Sequence, residues 1–521
     1  MGLKMKMVKS LLLGTAAGLV AVAGAQAADM PVKAAPVQYV KICSLYGDGF
    51  YYIPGTDTCI KIGGFVRLQT EYNAGSSGIG FGSGAATLPS AKFDRQDTND
   101  VNYTLRAVVS FDVRQQTEYG TLRTYIRAGW SQSTPNITGA TTSPVNNGAA
   151  NAALNYWDRA FIQFAGFTVG RAQSFFDIFS QGGQFSYLNV RTAGDTGASG
   201  ANVWAYTAQF GNGVSGTLSV EDPNVHNKAN TFDITLPGFF AINGGAANDN
   251  AFNLQQGVVA NNGWRLPDIV ANLRVDQAWG YAGVSAAIHD VSGAYWLTAD
   301  NVANGHPADR LGWAAAAGFQ LNLPGGDSWG ANFVYSVGAA GYAQNAGNWQ
   351  IYNASTSVGA AWLSDGVFGP GTDIELTKVW SINAGYQHIW NAKWRTAFYG
   401  GYVDVQYNDT AVGYLNSALP AAAACVKTVG GVAGNFGAGL FTPLAGNSCS
   451  PNYNYYQIGT RTQWNPVAQL DIGLDVFYTH LNTAYKGPVA YGANAPRPVV
   501  TLMDDQNVWS ALFRWQRNFY P

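Results

Sequence analysis

Charge is what this chain has least of. Asp, Glu, Lys and Arg make up 12% of its 521 residues, about half the share of an ordinary soluble domain. The formal balance of -2 argues against the basic surface that nucleic-acid binding requires, so no nucleic-acid partner is expected. Long apolar runs are also missing. Beyond residue 27 no stretch stays apolar for the ~18 residues that mark a membrane helix, which leaves a soluble chain or one that crosses a membrane as strands. Catalytic patterns are equally thin. The five histidines, His226, His289, His306, His388 and His480, form no HExxH, and no GxSxG occurs. The Gly-rich run from Gly75 to Gly84 completes no GxGxxG, precedes no helical pattern and reads as a loop. Cysteines number four, with no CxxC and no histidine near them, so neither a metal nor a cofactor is expected. The acidic cluster Asp94, Asp97 and Asp100 lacks a complete calcium-ligand spacing and reads as a solvated turn.

What the chain does have begins with an address. Lys4, Lys6 and Lys9 precede an apolar run from Leu11 to Ala25, and Ala25-Gln26-Ala27 supplies the small residues of a cleavage site. This is the three-part pattern of a secretory leader, expected over residues 1–27. Its removal takes away three lysines and no acid, moving the formal charge from -2 to -5. In an exported chain the cysteines would be oxidised. Three pairings are open in principle, and the short separations favour Cys43 with Cys59 and Cys425 with Cys449. Aromatics at 13%, 63 glycines and a mean hydropathy of -0.05 together suit strands that alternate apolar and polar residues between tight turns.

That alternation is legible. From Val101 to Val113 the odd positions are Val101, Tyr103, Leu105, Ala107, Val109, Phe111 and Val113. The even ones include Asn102, Thr104, Arg106, Ser110 and Asp112. Between Ile60 and Tyr72, Ile60, Ile62, Val66 and Leu68 oppose Lys61, Arg67, Gln69 and Glu71. A soluble sandwich would turn the oily face inward. Arginine-rich polar faces instead suit a polar barrel interior. Further strands are expected at 121–130, 157–167, 167–173, 203–210, 214–221, 269–279, 281–290 and 312–323. The rest fall at 329–337, 381–389, 394–405, 455–464, 470–480 and 508–519, giving sixteen with the two already described. An even count returns both chain ends to one side of a membrane. Tight connections such as Gly211-Asn212-Gly213 and Asn391-Ala392-Lys393 alternate with long ones at 131–155, 223–265, 338–379 and 406–452. Tryptophans gather at strand ends: Trp130, Trp157, Trp279, Trp380, Trp390, Trp394, Trp464 and Trp509, where interfacial girdles would lie. The expected fold is an all-β transmembrane antiparallel up-and-down barrel of about sixteen strands, over residues 60–521. It follows a periplasmic segment, 28–59, that carries a disulfide.

Residues 43–67, CSLYGDGFYYIPGTDTCIKIGGFVR, resemble the start of the Omp2-type porins of α-proteobacteria. The stretches RAFIQFAGFTVGRAQSFFD (159–177), LPDIVANLRVDQAWGYAGVSAAIHDV (266–291) and WSALFRWQRNFYP (509–521) extend the resemblance across nearly the whole mature chain. The last departs from the usual terminal aromatic by ending in Pro521. The resemblance implies a trimeric sixteen-stranded barrel in outer-membrane lipid and lipopolysaccharide, with an early cysteine pair. It also implies a passive diffusion pore for small hydrophilic solutes and ions. The segment after the fifth strand, 174–201 with Asp177, Arg191 and Asp195, would fold into the barrel and narrow it. Asp177 and Asp195 are then the expected loop acids. Arg67, Arg106, Arg123, Arg127, Arg159 and Arg171 are the expected basic wall, with Arg114 sharing the polar face of Arg106. Acids facing such a wall would set up a transverse field. The alternatives are a channel selective for sugars or carboxylates, which would carry a line of lumen aromatics or an unbroken basic ladder, an adhesin, and a hydrolase assembled around His289 or His480.

Overall fold

The computed structural model describes residues 41–72, 101–133, 154–179, 184–187, 200–226, 231–234, 264–296, 302–344, 349–353, 357–417, 419, 423–426, 442–490 and 500–519. The expected leader, the acidic cluster at 94–100, Arg191 and Asp195 lie outside them. Sixteen strands form the wall: β1 (Cys59–Tyr72), β2 (Val101–Thr117), β3 (Gly120–Ser133), β4 (Leu154–Phe164), β5 (Phe167–Ala172), β6 (Ala201–Gly211), β7 (Val214–Glu221), β8 (Asp268–Gln277), β9 (Gly280–Val291), β10 (Arg310–Asn322), β11 (Ser328–Val337), β12 (Lys378–Ile389), β13 (Trp394–Gln406), β14 (Tyr453–Trp464), β15 (Leu470–Asn482) and β16 (Gln506–Asn518). Each pairs antiparallel with its chain neighbour, and β16 returns to β1 from Phe65↔Asn518 to Tyr72↔Ala511. The sheet is therefore closed, and no barrel strand is left with an unpaired edge. All sixteen expected strands are present, with ends shifted by a few residues.

Turn chemistry closes the tight end. In the β4–β5 turn Ala165 and Gly166 have φ of 48° and 87°, and in the β6–β7 turn Asn212 and Gly213 have 50° and 73°. Two successive positive φ angles match the twist of the flanking strands, which is why Asn-Gly recurs in two-residue hairpins. The outward faces are apolar: Leu105, Phe111, Leu218, Leu273, Phe333, Phe398 and Phe513 are each more than a third exposed. Such faces in contact with water would be unfavourable, but they match the apolar band of a membrane barrel. Tryptophans rim that band. Trp394 and Trp464, at the tight-turn ends of β13 and β14, stack at 5.7 Å.

The long loops fill part of the interior. At the outer ends of β11–β13, inward-facing Val334, Val379, Val403 and Val405 are fully buried, sharing one core with Tyr342, Leu363, Tyr407, Leu415, Tyr485 and Met503 from the external loops. A five-stranded sheet ties those loops together: Trp349–Asn353, Ser357–Trp362, Val500–Met503, Gly487–Ala490 and Thr442–Pro443. The cap is fastened to the wall by polar bonds. Tyr342 of the cap donates to Asp268 of β8 at 2.6 Å, and His289 of β9, whose Nδ1 meets the same carboxylate at 2.7 Å, has its Nε2 3.6 Å from Asp365 of the cap. Burial raises the Asp365 carboxyl above its usual range, opposed by the nearby His289 imidazole. Both disulfides, Cys43–Cys59 and Cys425–Cys449, are formed.

Candidate functional site

Strand pairing turns scattered arginines into a ladder. Arg114 of β2 lies opposite Arg123 of β3, Arg127 of β3 opposite Arg159 of β4, and Arg67 of β1 opposite Arg106 of β2. Arg106 in turn faces Ser131, so the three pairs sit at the levels of residues 123, 127 and 131 of β3. Four residues of strand span ~13 Å. The six side chains project to the inner face, each alternating with outward residues such as Val66, Leu105 and Trp130.

Two of the rungs hold an acid between their arginines. Asp112 accepts from Arg114 at 2.8 Å and Arg123 at 2.9 Å, and Asp158 accepts from Arg159 at 3.0 Å and forms an ion pair with Arg127 at 3.1 Å. Asp158 reaches its pair because β4 bulges there, with the register against β3 shifting between Arg127 and Ala128. Its side chain is 1% exposed, whereas Arg123 and Arg127 keep 28% and 30%, so the cations retain contact with water. Rings stack among them. Arg67 and Arg127 lie 5.3 and 5.6 Å from the Phe65 ring, and Arg123 lies 5.2 and 5.4 Å from Tyr125 and Phe161. Phe65, Tyr125 and Phe161 thus lie on the inner face with the arginines.

The loop after β5 does fold into the barrel, and its contacts trace the inner circumference. Phe175 N donates to Glu221 of β7 at 3.0 Å, and its carbonyl accepts from Asn272 of β8 at 2.7 Å. Ser285 of β9 donates to the Phe176 carbonyl at 2.8 Å, and Gln184 donates to Ser328 of β11 at 2.9 Å. Phe179 and Phe185 lie on the backbones of Gly330 (β11) and Gly385 (β12), where an added Cβ would come within 2.2 and 2.7 Å of the rings. Asp475 of β15 then accepts from Ser186 Oγ at 3.0 Å and Tyr187 N at 2.6 Å, and Arg514 of β16 donates to the Tyr187 carbonyl at 3.0 Å. The described loop residues thus anchor on β7 through β16. The arginine ladder stands on β1 to β4, and Phe175 at the loop's root packs on β5 and β6.

Three placements differ from expectation or extend it. Arg171 pairs with Ala160 and Asn202, which puts it in phase with outward Phe167 and Val169. The two-residue β4–β5 turn fixes that register, so Arg171 leaves the ladder. Asp177 lies in the root of the loop between Phe176 and Ile178, its amide donating to the Ser174 carbonyl at 3.2 Å. Arg461 and Arg514 extend the inner basic surface onto β14 and β16, both within cation–π range of Tyr187, at 5.1 and 4.0 Å. Alternation could have found them, since Arg514 is in phase with Ser510 and Gln516 and out of phase with Trp509, Phe513 and Trp515. The two histidines of the hydrolase alternative are not brought together: His289 is buried beside Asp268 on the inner face of β9, while His480 meets Asn507 at 2.7 Å on the outer face of β15.

A family model described as a porin subfamily matches residues 29–512. The chain belongs to this porin family. Over 289 residues the porin is 29% identical to Porin Omp2b of Brucella suis biovar 1 (strain 1330), covering 54% of this chain and 65% of that protein. Over 268 residues it is 32% identical to Porin Omp2a of Brucella melitensis biotype 1, covering 49% and 66%. The matched span is thus just under two thirds of these relatives' lengths. Among solved structures, the outer membrane channel DcaP of Acinetobacter baumannii superposes with a TM-score of 0.54 at 13% identity, covering 90% of this chain and 99% of that one. It shares the fold. Family and architecture together make this porin a β-barrel of a bacterial outer membrane.

Proposed function

We propose that this porin forms a passive, water-filled diffusion channel for small hydrophilic solutes and ions, working as a homotrimer among outer-membrane lipid and lipopolysaccharide. The observation that carries the reading is the division of the inner wall: loop and cap contacts on β7–β16, partly exposed arginines on β1–β4. On the ladder arc six arginines and Lys61 stand against Asp112, Asp158 and Glu71, so the solute path runs along a net positive surface. Field lines from that wall would cross the lumen, and the expected loop acids Asp177 and Asp195 would strengthen them. Water ordered in such a field resists displacement by apolar solutes and yields to polar ones.

The test is conductance of the purified protein in planar bilayers. Stepwise, long-lived openings with weak ion preference are expected, and a silent bilayer would refute the reading. The partly exposed inward rings Tyr125 and Phe161 favour a second reading, a channel selective for carboxylates, in which a carboxylate would rest on an arginine while its carbon skeleton lies on a ring. Saturable block of the current by one carboxylate class, absent with sugars, would decide for that reading over general diffusion.

A further inference from the structure

We propose that the disulfide-bonded hairpin of residues 41–58 is a fixed collar at the periplasmic mouth that shields the lowest basic residues of the pore and thereby weakens its anion preference. The inference rests on the pore reading above and adds a second determinant of selectivity, separate from the infolded loop.

Cys59 opens β1 directly opposite Arg114, a residue of the inner face. The bond to Cys43 therefore leaves the wall toward the lumen. From there the segment doubles back on itself: Tyr51 and Tyr52 pair with Ile60 and Cys59, and the Cys43 amide donates to the Phe50 carbonyl at 2.9 Å. Cys43, Phe50 and Cys59 form a small buried cluster with Tyr46 and Tyr52 packed against it. A two-residue strand has too little pairing to hold itself in place, so the covalent link fixes the segment on the wall.

The hairpin lands on the cations of the lowest rung. The Arg114 guanidinium lies 4.9 Å from the Phe50 ring and 5.6 Å from the Tyr46 ring. Lys61, also on the inner face, donates to the Asp48 carbonyl at 2.9 Å, its ammonium 5.7 Å from the Phe50 ring. Ring faces and a carbonyl oxygen present partial negative charge to these cations. They also occupy positions that water and a mobile anion would otherwise take. Without the hairpin, Lys61 and Arg114 would face the mouth hydrated and concentrate anions there.

The experiment compares reversal potentials, under a KCl gradient, of the wild type, the Cys43→Ser/Cys59→Ser variant and a disulfide-intact Tyr46→Ala variant. Both variants are expected to shift toward chloride preference with higher single-channel conductance. Adding Lys61→Gln and Arg114→Gln should cancel the selectivity shift, which a merely structural loss would not do. The external Cys425→Ser/Cys449→Ser variant should leave the reversal potential unchanged. If the Cys43→Ser/Cys59→Ser variant does not insert, Tyr46→Ala decides alone. A conducting wild type with an unshifted Tyr46→Ala variant, or an equal shift on removing the external disulfide, would overturn the collar. A wild type that never conducts would overturn the pore reading and the collar with it.

Discussion

Arginines placed directly opposite one another on a sheet repel, and like charges in register are destabilising. The Arg114/Arg123 and Arg127/Arg159 pairs each hold a carboxylate between them, and the two acids differ in consequence. Asp112 serves partly exposed arginines, so its main effect is on the field. Asp112→Asn keeps the shape and removes one negative charge, and the reversal potential is expected to move toward anion preference. Asp158 is buried beneath Arg127 and Arg159. Asp158→Asn leaves charged donors poorly matched and is expected to cost about 1–3 kcal/mol, measurable as earlier loss of the folded barrel in a urea titration. Side-chain character was readable from the sequence wherever alternation was clean, which is why Arg67, Arg106, Arg123 and Arg127 were identified. Arg171 is expected on the same wall but faces outward, because a six-residue strand leaves phase ambiguous until its partners are known.

The strands themselves were legible because each had to present an apolar face to lipid and a polar face to the lumen, a period-two constraint that single residues rarely break. The course of the infolded loop was not legible. Its anchors, Glu221, Asn272, Ser285, Asp475 and Arg514, lie as many as 327 residues from the loop residues they bind, and only closure of the barrel brings them near. Glycines on the wall make room for it: β11 and β12 carry Gly330 and Gly385 where Phe179 and Phe185 press on the backbone. Gly330→Val would force the Phe179 ring away. Overpacking of this kind is expected to cost about 1–3 kcal/mol, read in the same urea titration. The displaced loop should also broaden the distribution of single-channel conductances. A variant with wild-type stability and a single sharp conductance level would show that the ring can shift at no cost.

At the scale of the whole molecule, closure of β16 on β1 removes the open sheet edge, and the long external loops convert a symmetric ring into an asymmetric one. The cap and the infolded loop share one core with the inner wall of β8–β16, while the ladder stands on β1–β4. Asymmetry of this sort had been readable only as arginines concentrated in the first strands; the buried cap, built from loops of low-complexity Gly, Ala and Asn, had no sequence period to betray it. The central claim is that solutes pass along the arginine ladder, and its most direct measurement is the reversal potential of Arg106→Glu beside that of the wild type under a KCl gradient. A clear shift toward cation preference, with the channel still conducting, is the expected result. An unchanged reversal potential would place Arg106 away from the solute path and contradict the claim.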